Sequence, residues 1–112
     1  MKLHHRKEKE AWILTPEGRL DAQTVAEFKK TVGGFLKEEE VRIVFDFRHV
    51  DFIDSTGLGA LISILRKIES KNGSMRLFNL SKEVESIFEI TRLHKLFKIS
   101  PHLEHAIEGC RS

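Results

Sequence analysis

The stretch that decides the fold is Val41–Gly59, with the sequence VRIVFDFRHVDFIDSTGLG. Its first part, Val41 to Phe47, places apolar side chains on both sides of an extended chain, which is typical of a strand buried on two faces. Hydroxyl and glycine residues follow at positions 55–59. An apolar stripe at helical spacing then continues to about Lys71. This order predicts an α/β fold in which a polar loop follows a buried strand and opens a helix.

Toward the N-terminus the pattern predicts another strand and helix. Ala11–Leu14 is a short apolar run that we expect to end in a turn at Pro16 and Gly18. Asp21 can cap the helix that follows. The apolar residues at helical spacing in that helix are Val25, Phe28, Val32, Phe35 and Leu36. Residues Lys2–Lys9 fit either a solvent-facing edge strand or a frayed tail.

Toward the C-terminus the same alternation continues. Met75–Leu80 predicts a strand, and Ser81 is a plausible cap for the next helix. Leu96–Ile99 predicts a further short strand. Ser100 followed by Pro101 is typical of a helix start, because serine caps the helix and proline fits its first turn. The whole pattern predicts a central, mixed but mostly parallel β-sheet covered by about four α-helices.

Composition limits the class of protein. The 112 residues predict one domain, 1–112, with enough chain to bury a core without disulfides or metals. The one cysteine cannot form an internal disulfide, and no apolar stretch approaches the ~20 residues of a membrane span. We therefore expect a cytoplasmic protein. The 19 basic and 17 acidic residues alternate along the chain, which argues against direct nucleic-acid binding.

The loop Val50–Gly59 is the candidate for chemistry. Ser55 or Thr56 can cap the helix that begins there, and the free backbone N–H groups and helix dipole favour an anion such as phosphate. Small residues at Gly57 and Gly59 would leave the surroundings open to a partner. These features are typical of an exposed phosphoacceptor, although the same residues are also ordinary helix-capping chemistry.

Other kinds of site are poorly supported. No G-x-S-x-G sequence surrounds Ser55, and no Gly-Lys-Ser/Thr sequence forms a phosphate-binding loop, so neither a hydrolase nor a nucleotide enzyme is expected. Nucleotide binding at the 54–59 loop remains an alternative. His102 and His105 stand three apart and His4 adjoins another histidine, but too few ligands converge for a metal. We expect no metal and no cofactor, and we interpret Cys110 as a packing residue.

Two segments carry a resemblance to a known family. Gly18-Arg19-Leu20-Asp21 precedes a helix, and Asp54-Ser55-Thr56-Gly57-Leu58-Gly59 follows an apolar strand. In this order and spacing the chain resembles the STAS domain over essentially its whole length, and specifically the bacterial anti-sigma-factor antagonists. One departure is Arg19, because the family commonly carries an acidic residue there. The identity of the partner is therefore left open.

The resemblance implies a regulatory binding module that works by partner switching and is not an enzyme. The unphosphorylated antagonist would bind an anti-sigma factor that is also a serine kinase, and so free the sigma factor. The kinase would phosphorylate Ser55, which follows the motif's aspartate, and a serine phosphatase would reset the switch. Thr56 would mainly support the cap. The implied partner-binding residues are Asp21, Asp54, Ser55, Thr56, Gly57, Leu58 and Gly59.

An alternative is a STAS scaffold in a stress-signalling assembly, or an accessory module of a lipid transporter. Partner identity separates these functions, because a kinase-like ATP-binding protein and a transporter ATPase are different partners. The sequence leaves open whether the chain is a monomer or a weak dimer.

Overall fold

The computed structural model describes residues 1–111, which form a layered α/β structure. The strands are β1 (Lys2–Glu8), β2 (Ala11–Leu20), β3 (Arg42–Asp46), β4 (Val50–Ile53) and β5 (Ser74–Phe78). The helices are α1 (Val25–Gly33), α2 (Ser55–Ser70), α3 (Lys82–Ile90) and α4 (Leu103–Arg111). None of the described helices has the length and apolar character needed to cross a membrane.

The sheet is mixed and mostly parallel, as predicted. Its order is β1-β2-β3-β5, and β4 pairs separately with the end of β2. Within residues 1–111 only the β1–β2 pair is antiparallel, while β2–β3, β3–β5 and β2–β4 are parallel. The pairing of β1 with β2, from Lys2 opposite Glu17 to Glu8 opposite Ala11, shows that the N-terminal segment is an edge strand and not a frayed tail.

Helices cover both faces of the sheet. Ile43 and Phe45 in β3 belong to the larger core, which α1, α2 and α3 cover. Val44 points to the opposite face because side chains alternate along a strand, and there it lies in a smaller core under α4. The residues of that smaller core are Ala11, Ile13, Val44, Phe78, Ala106, Ile107 and Cys110. The two-sided apolar pattern of β3 is therefore confirmed.

The turn predicted at Pro16 and Gly18 is wrong, because β2 continues through both residues to Leu20. Proline lacks an N–H group for a ladder, but Pro16 lies between the part of β2 that pairs with β3 and the part that pairs with β4. Gly18 adopts a φ of 104°, where the register between β2 and β4 shifts. The glycine therefore bends the strand without ending it.

The start of α3 confirms Ser81 as its cap, because the Ser81 hydroxyl accepts a hydrogen bond of 3.2 Å from the Val84 N–H. The helix α1 is shorter than its apolar spacing predicts. It ends at Gly33, so Phe35 and Leu36 pack from the loop beyond it.

The predicted cap of the last helix is wrong. The helix α4 begins at Leu103, and the Ser100 N–H instead donates to the Leu77 carbonyl of β5 at 2.7 Å. At the start of α4, the ring nitrogen Nδ1 of His102 accepts a hydrogen bond from the His105 N–H at 3.2 Å. The strand predicted at Leu96–Ile99 is also wrong, since only Ile99 forms a bridge to Leu77. The chain here runs parallel to β5 for this one bridge only, in which the Leu77 N–H donates to the Lys98 carbonyl at 3.0 Å.

Candidate functional site

The loop predicted at Val50–Gly59 is wrong: Val50–Ile53 forms β4, a strand that the sequence analysis did not predict, and α2 begins at Ser55, directly after Asp54. β4 runs parallel to the last residues of β2, with Ile53 opposite Leu20. The Asp54 N–H then donates to the Leu20 carbonyl at 3.2 Å. Since Asp21 directly follows Leu20, the two segments that carry the family resemblance meet at one end of the sheet.

Asp54 is the residue that caps α2. Its Oδ1 accepts hydrogen bonds from the backbone N–H groups of Thr56 and Gly57, at 2.9 and 3.1 Å. The Thr56 hydroxyl donates to the same oxygen at 2.6 Å. These bonds, led by the one from the Thr56 hydroxyl, lower the pKa of Asp54 because they favour its charged form. The prediction that Ser55 or Thr56 caps the helix is wrong, although Thr56 does support the cap.

Ser55 differs from its neighbour in what its hydroxyl contacts. It is the first residue of α2 and is exposed. Within residues 1–111 its hydroxyl has no hydrogen-bond partner, whereas the Thr56 hydroxyl is held by Asp54. Of the two hydroxyls at the start of α2, only that of Ser55 is free to turn toward an incoming group.

The two glycines at the start of α2, Gly57 and Gly59, have different roles. A Cβ built on Gly57 would lie 2.4 Å from the Leu20 carbonyl oxygen and 2.8 Å from Cγ1 of Ile53. The small size of Gly57 therefore lets α2 rest on β2, and the expectation that it leaves room for a partner is wrong. Gly59 is exposed, and a Cβ there would meet nothing within 4 Å. Leu58 is 7% exposed and belongs to the core.

Asp21 holds the turn before α1. The prediction that it caps that helix is wrong. Its Oδ1 accepts from the Gln23 N–H at 3.0 Å, and its main-chain carbonyl accepts from the Val25 N–H at 2.9 Å. The second carboxylate oxygen of Asp21, Oδ2, accepts from Nε of Arg19 at 3.1 Å. The hydrogen bond from Arg19 is the main reason that the pKa of Asp21 is lowered.

Sequence reasoning missed the contact between Arg19 and Phe52. The pairing of β2 with β4 aligns these residues, and the guanidinium carbon of Arg19 lies 4.0 Å from the centre of the Phe52 ring. The signal that could have revealed this pair is β4 itself, whose two apolar end residues, Val50 and Ile53, are both buried. We define the α2 surface as the exposed and half-buried residues at this end of the sheet: Arg19, Asp21, Phe52, Asp54, Ser55, Thr56 and Gly59.

The remaining candidates of the sequence analysis lie away from the α2 surface. His4 pairs with Glu17, and the rings of His102 and His105 are 6.0 Å apart. In the described part of the chain, no three His, Cys, Asp or Glu residues are grouped so that they could hold a metal ion. Cys110 is 2% exposed in the smaller core, and burial raises the pKa of its thiol.

The α2 surface presents charge at the end of the sheet. It carries one guanidinium and the carboxylates of Asp21 and Asp54. Four open cavities of about 250 to 420 Å³ are lined by other residues. A surface of this kind is better suited to contact with another protein than to enclosing a small ligand, which ordinarily occupies a concave pocket.

Comparison with known proteins places the chain in a family. The family model of the STAS domain matches residues 3–106. A Thermotoga maritima protein, named provisionally as an anti-sigma factor antagonist, is 32% identical over 100 residues, which is 88% of each chain. The anti-sigma-B factor antagonist of Listeria monocytogenes is 29% identical over 82 residues, covering 73% of this chain and 72% of the relative. Such antagonists are regulatory binding proteins and not enzymes.

A solved structure agrees with these matches. The crystal structure of a Thermotoga maritima protein, again named provisionally as an anti-sigma factor antagonist, superposes with a TM-score of 0.90 and 29% identity. The superposition covers 98% of this chain and 95% of the other. The chain therefore belongs to the STAS domain family, among relatives that are anti-sigma-factor antagonists.

Proposed function

We propose that the chain is a cytoplasmic anti-sigma-factor antagonist that works by partner switching. In its unphosphorylated form it binds an anti-sigma factor through the α2 surface, and the sigma factor is released. The bound partner is also a serine kinase, which phosphorylates Ser55 and thereby ends binding. A serine phosphatase restores the binding form. Gly57 and Leu58 support this surface from beneath, while the exposed residues around them contact the partner.

The observation that carries this proposal is the free hydroxyl of Ser55. An acceptor hydroxyl has to approach the γ-phosphorus of ATP and give up its proton as the new O–P bond forms. Ser55 can do so without breaking a hydrogen bond, because its hydroxyl has no partner among residues 1–111. Phosphorylation of Thr56 would break the 2.6 Å bond to Asp54 and weaken the cap of α2. Ser55 is therefore the better acceptor.

The same location explains how a phosphate could end binding without unfolding the chain. Phosphate adds about −1.5 to −2 charge, and the positive end of a helix dipole tolerates it. Against a partner surface the same charge loses water and adds to the carboxylates of Asp21 and Asp54. A difference of ~2–4 kcal/mol in binding free energy would weaken affinity by roughly 30- to 1,000-fold. That range is sufficient for a switch.

The test is capture of the partner with a set of matched variants. We expect the wild type and Ser55→Ala to retain a small ATP-binding, kinase-like protein, and Ser55→Asp to lose it. Ser63→Asp is the control, because Ser63 is exposed on α2 two turns beyond Ser55 and receives the same charge. The purified partner should phosphorylate the wild type but not Ser55→Ala, as measured by mass spectrometry.

Other outcomes would contradict the proposal in different ways. Equal retention of the partner by wild type and Ser55→Asp would show that charge at this position does not control binding. Continued phosphorylation of Ser55→Ala would place the acceptor elsewhere. Capture of a transporter ATPase in place of a kinase-like protein would favour the accessory-module function.

A further inference from the structure

Arg19 is the cation of the α2 surface, and two side-chain contacts define its position. Its guanidinium lies over the Phe52 ring at 4.0 Å and donates to Asp21 at 3.1 Å. Its side chain remains 58% exposed. The neighbouring Leu20 carbonyl accepts from the Asp54 N–H, so the strand that carries Arg19 is tied directly to the residue before Ser55.

Arg19 stands beside this end of α2, because it lies opposite Phe52 and directly precedes Leu20, whose carbonyl accepts from the Asp54 N–H. It contributes, as the smallest of the causes, to lowering the pKa of Asp54, which directly precedes Ser55. The charged groups of the α2 surface are Arg19, Asp21 and Asp54. A phosphate on Ser55 would therefore find two like charges near it and one guanidinium of opposite charge.

We propose that Arg19 is a positioning residue for the phosphate on Ser55: the phosphate draws the guanidinium from Asp21 and is held by it. This inference rests on the proposed function, because the phosphate belongs to that proposal. The exchange leaves Asp21 with its hydrogen bond from Gln23 and with a half-buried charge that no longer has a cation beside it. Phosphorylation would thus add negative charge at two places on the α2 surface, at Ser55 and at Asp21.

The chemistry of the groups favours the exchange. A guanidinium presents a planar fork of N–H donors, and a phosphate offers three acceptor oxygens with more charge than one carboxylate. Only Nε of the guanidinium donates to Asp21, so the N–H groups on its two terminal nitrogens stay available for hydrogen bonds. The guanidinium donates to Asp21 and not to Asp54, whose Oδ1 accepts from Thr56 and Gly57.

The test uses the full chain with phosphoserine incorporated at position 55 during translation, so that no kinase is needed. The second pKa of the phosphate is measured by titration with ³¹P NMR. Opposite charge favours the dianion, and we expect Arg19 to hold this pKa, ordinarily about 6, roughly half a unit lower than it would be without the guanidinium, given that solvent screens an exposed pair. Arg19→Gln should raise the phosphate pKa by about half a unit relative to the protein with Arg19. Arg19→Lys should raise it less, because lysine keeps the positive charge.

Arg6 supplies a matched control. It is 54% exposed and donates from Nε to Glu8, two residues later, at 2.9 Å, as Arg19 does to Asp21. It lies opposite Ile13 in β2, six residues and therefore about 20 Å along the strand from Arg19. Arg6→Gln removes the same charge and should leave the phosphate pKa unchanged.

Two results would overturn the inference. One is an equal phosphate pKa in the Arg19→Gln and Arg6→Gln proteins. The other is a phosphate pKa that rises equally in Arg19→Gln and Arg19→Lys, because this would show that the charge of the side chain is not the cause of the lowering. The fluorescence of Trp12, the single tryptophan, verifies that each variant is folded. Because the phosphate is incorporated directly, the titration can succeed even where partner capture contradicts the proposed function.

Discussion

Replacing Gly57 by alanine tests the contact that seats α2 on the sheet. The added methyl group would lie 2.4 Å from the Leu20 carbonyl oxygen, whereas ordinary contacts begin near 3.4 Å. The obstacle is backbone and cannot rotate away. The same carbonyl also accepts the Asp54 N–H, so α2 cannot shift without disturbing the start of the helix.

The size of the effect follows from two opposing terms. Alanine favours a helix over glycine by up to ~1 kcal/mol. Forcing a methyl group into a packed site costs ~1–3 kcal/mol, and the backbone obstacle places Gly57→Ala at the upper end of that range. The free energy of unfolding should therefore fall by about 2 kcal/mol. Gly59→Ala is the matched control, since it gains the helical preference and meets nothing within 4 Å.

Urea unfolding followed by Trp12 fluorescence measures both variants, because one tryptophan and no tyrosine give a single signal. With a denaturant slope of ~2 kcal/mol per M, the midpoint of Gly57→Ala should fall by about 1 M and that of Gly59→Ala should rise slightly. A Gly57→Ala protein as stable as Gly59→Ala would refute the reasoning. Such a result would mean that α2 does not rest on the Leu20 carbonyl as described.

Two further predictions concern ionisable groups. Because the folded chain lowers the pKa of Asp54, its stabilising effect is present above the unfolded pKa of ~4 and is lost as the pH falls through the folded value. The difference in urea midpoint between wild type and Asp54→Ala should be full at pH 7 and shrink steadily below about pH 4; a constant difference would contradict this assignment. Burial raises the pKa of the Cys110 thiol, so Ellman's reagent at pH 8 should react slowly with the native chain and rapidly in urea. Equal rates in both conditions would show that Cys110 is accessible.

The parts of the fold that sequence predicts well have strong local signals. The two-sided apolar pattern of Val41–Phe47 identifies a buried strand, and Ser81 stands where a cap is needed. The start of α2 is recognised because polar and small residues at Asp54–Gly59 separate two long apolar patterns, although these residues begin the helix and do not form a loop. In each case the residues that create the structure are neighbours in the chain.

The parts that were missed depend on residues distant in sequence. Pro16 looks like the end of a strand, but β1 pairs along its length and keeps it within β2. β4 has only four residues and is held by β2, about thirty residues earlier in the chain. Phe97 in the run Leu96–Ile99 is buried, so the apolar residues there fill the core without forming a strand. The pairing of Arg19 with Phe52 could not be predicted without β4.

The seating of Gly57 on Leu20 also affects how such a protein can diverge. The α2 surface is positioned largely by backbone contacts and by one capping carboxylate, while the side chains of Arg19 and Ser55 project from it into solvent. Substitutions among those projecting side chains cost little stability, whereas Gly57 has no comparable freedom. Under the proposed function, a change in a few surface charges would therefore be enough to give descendants of one ancestral gene separate partners on the same scaffold.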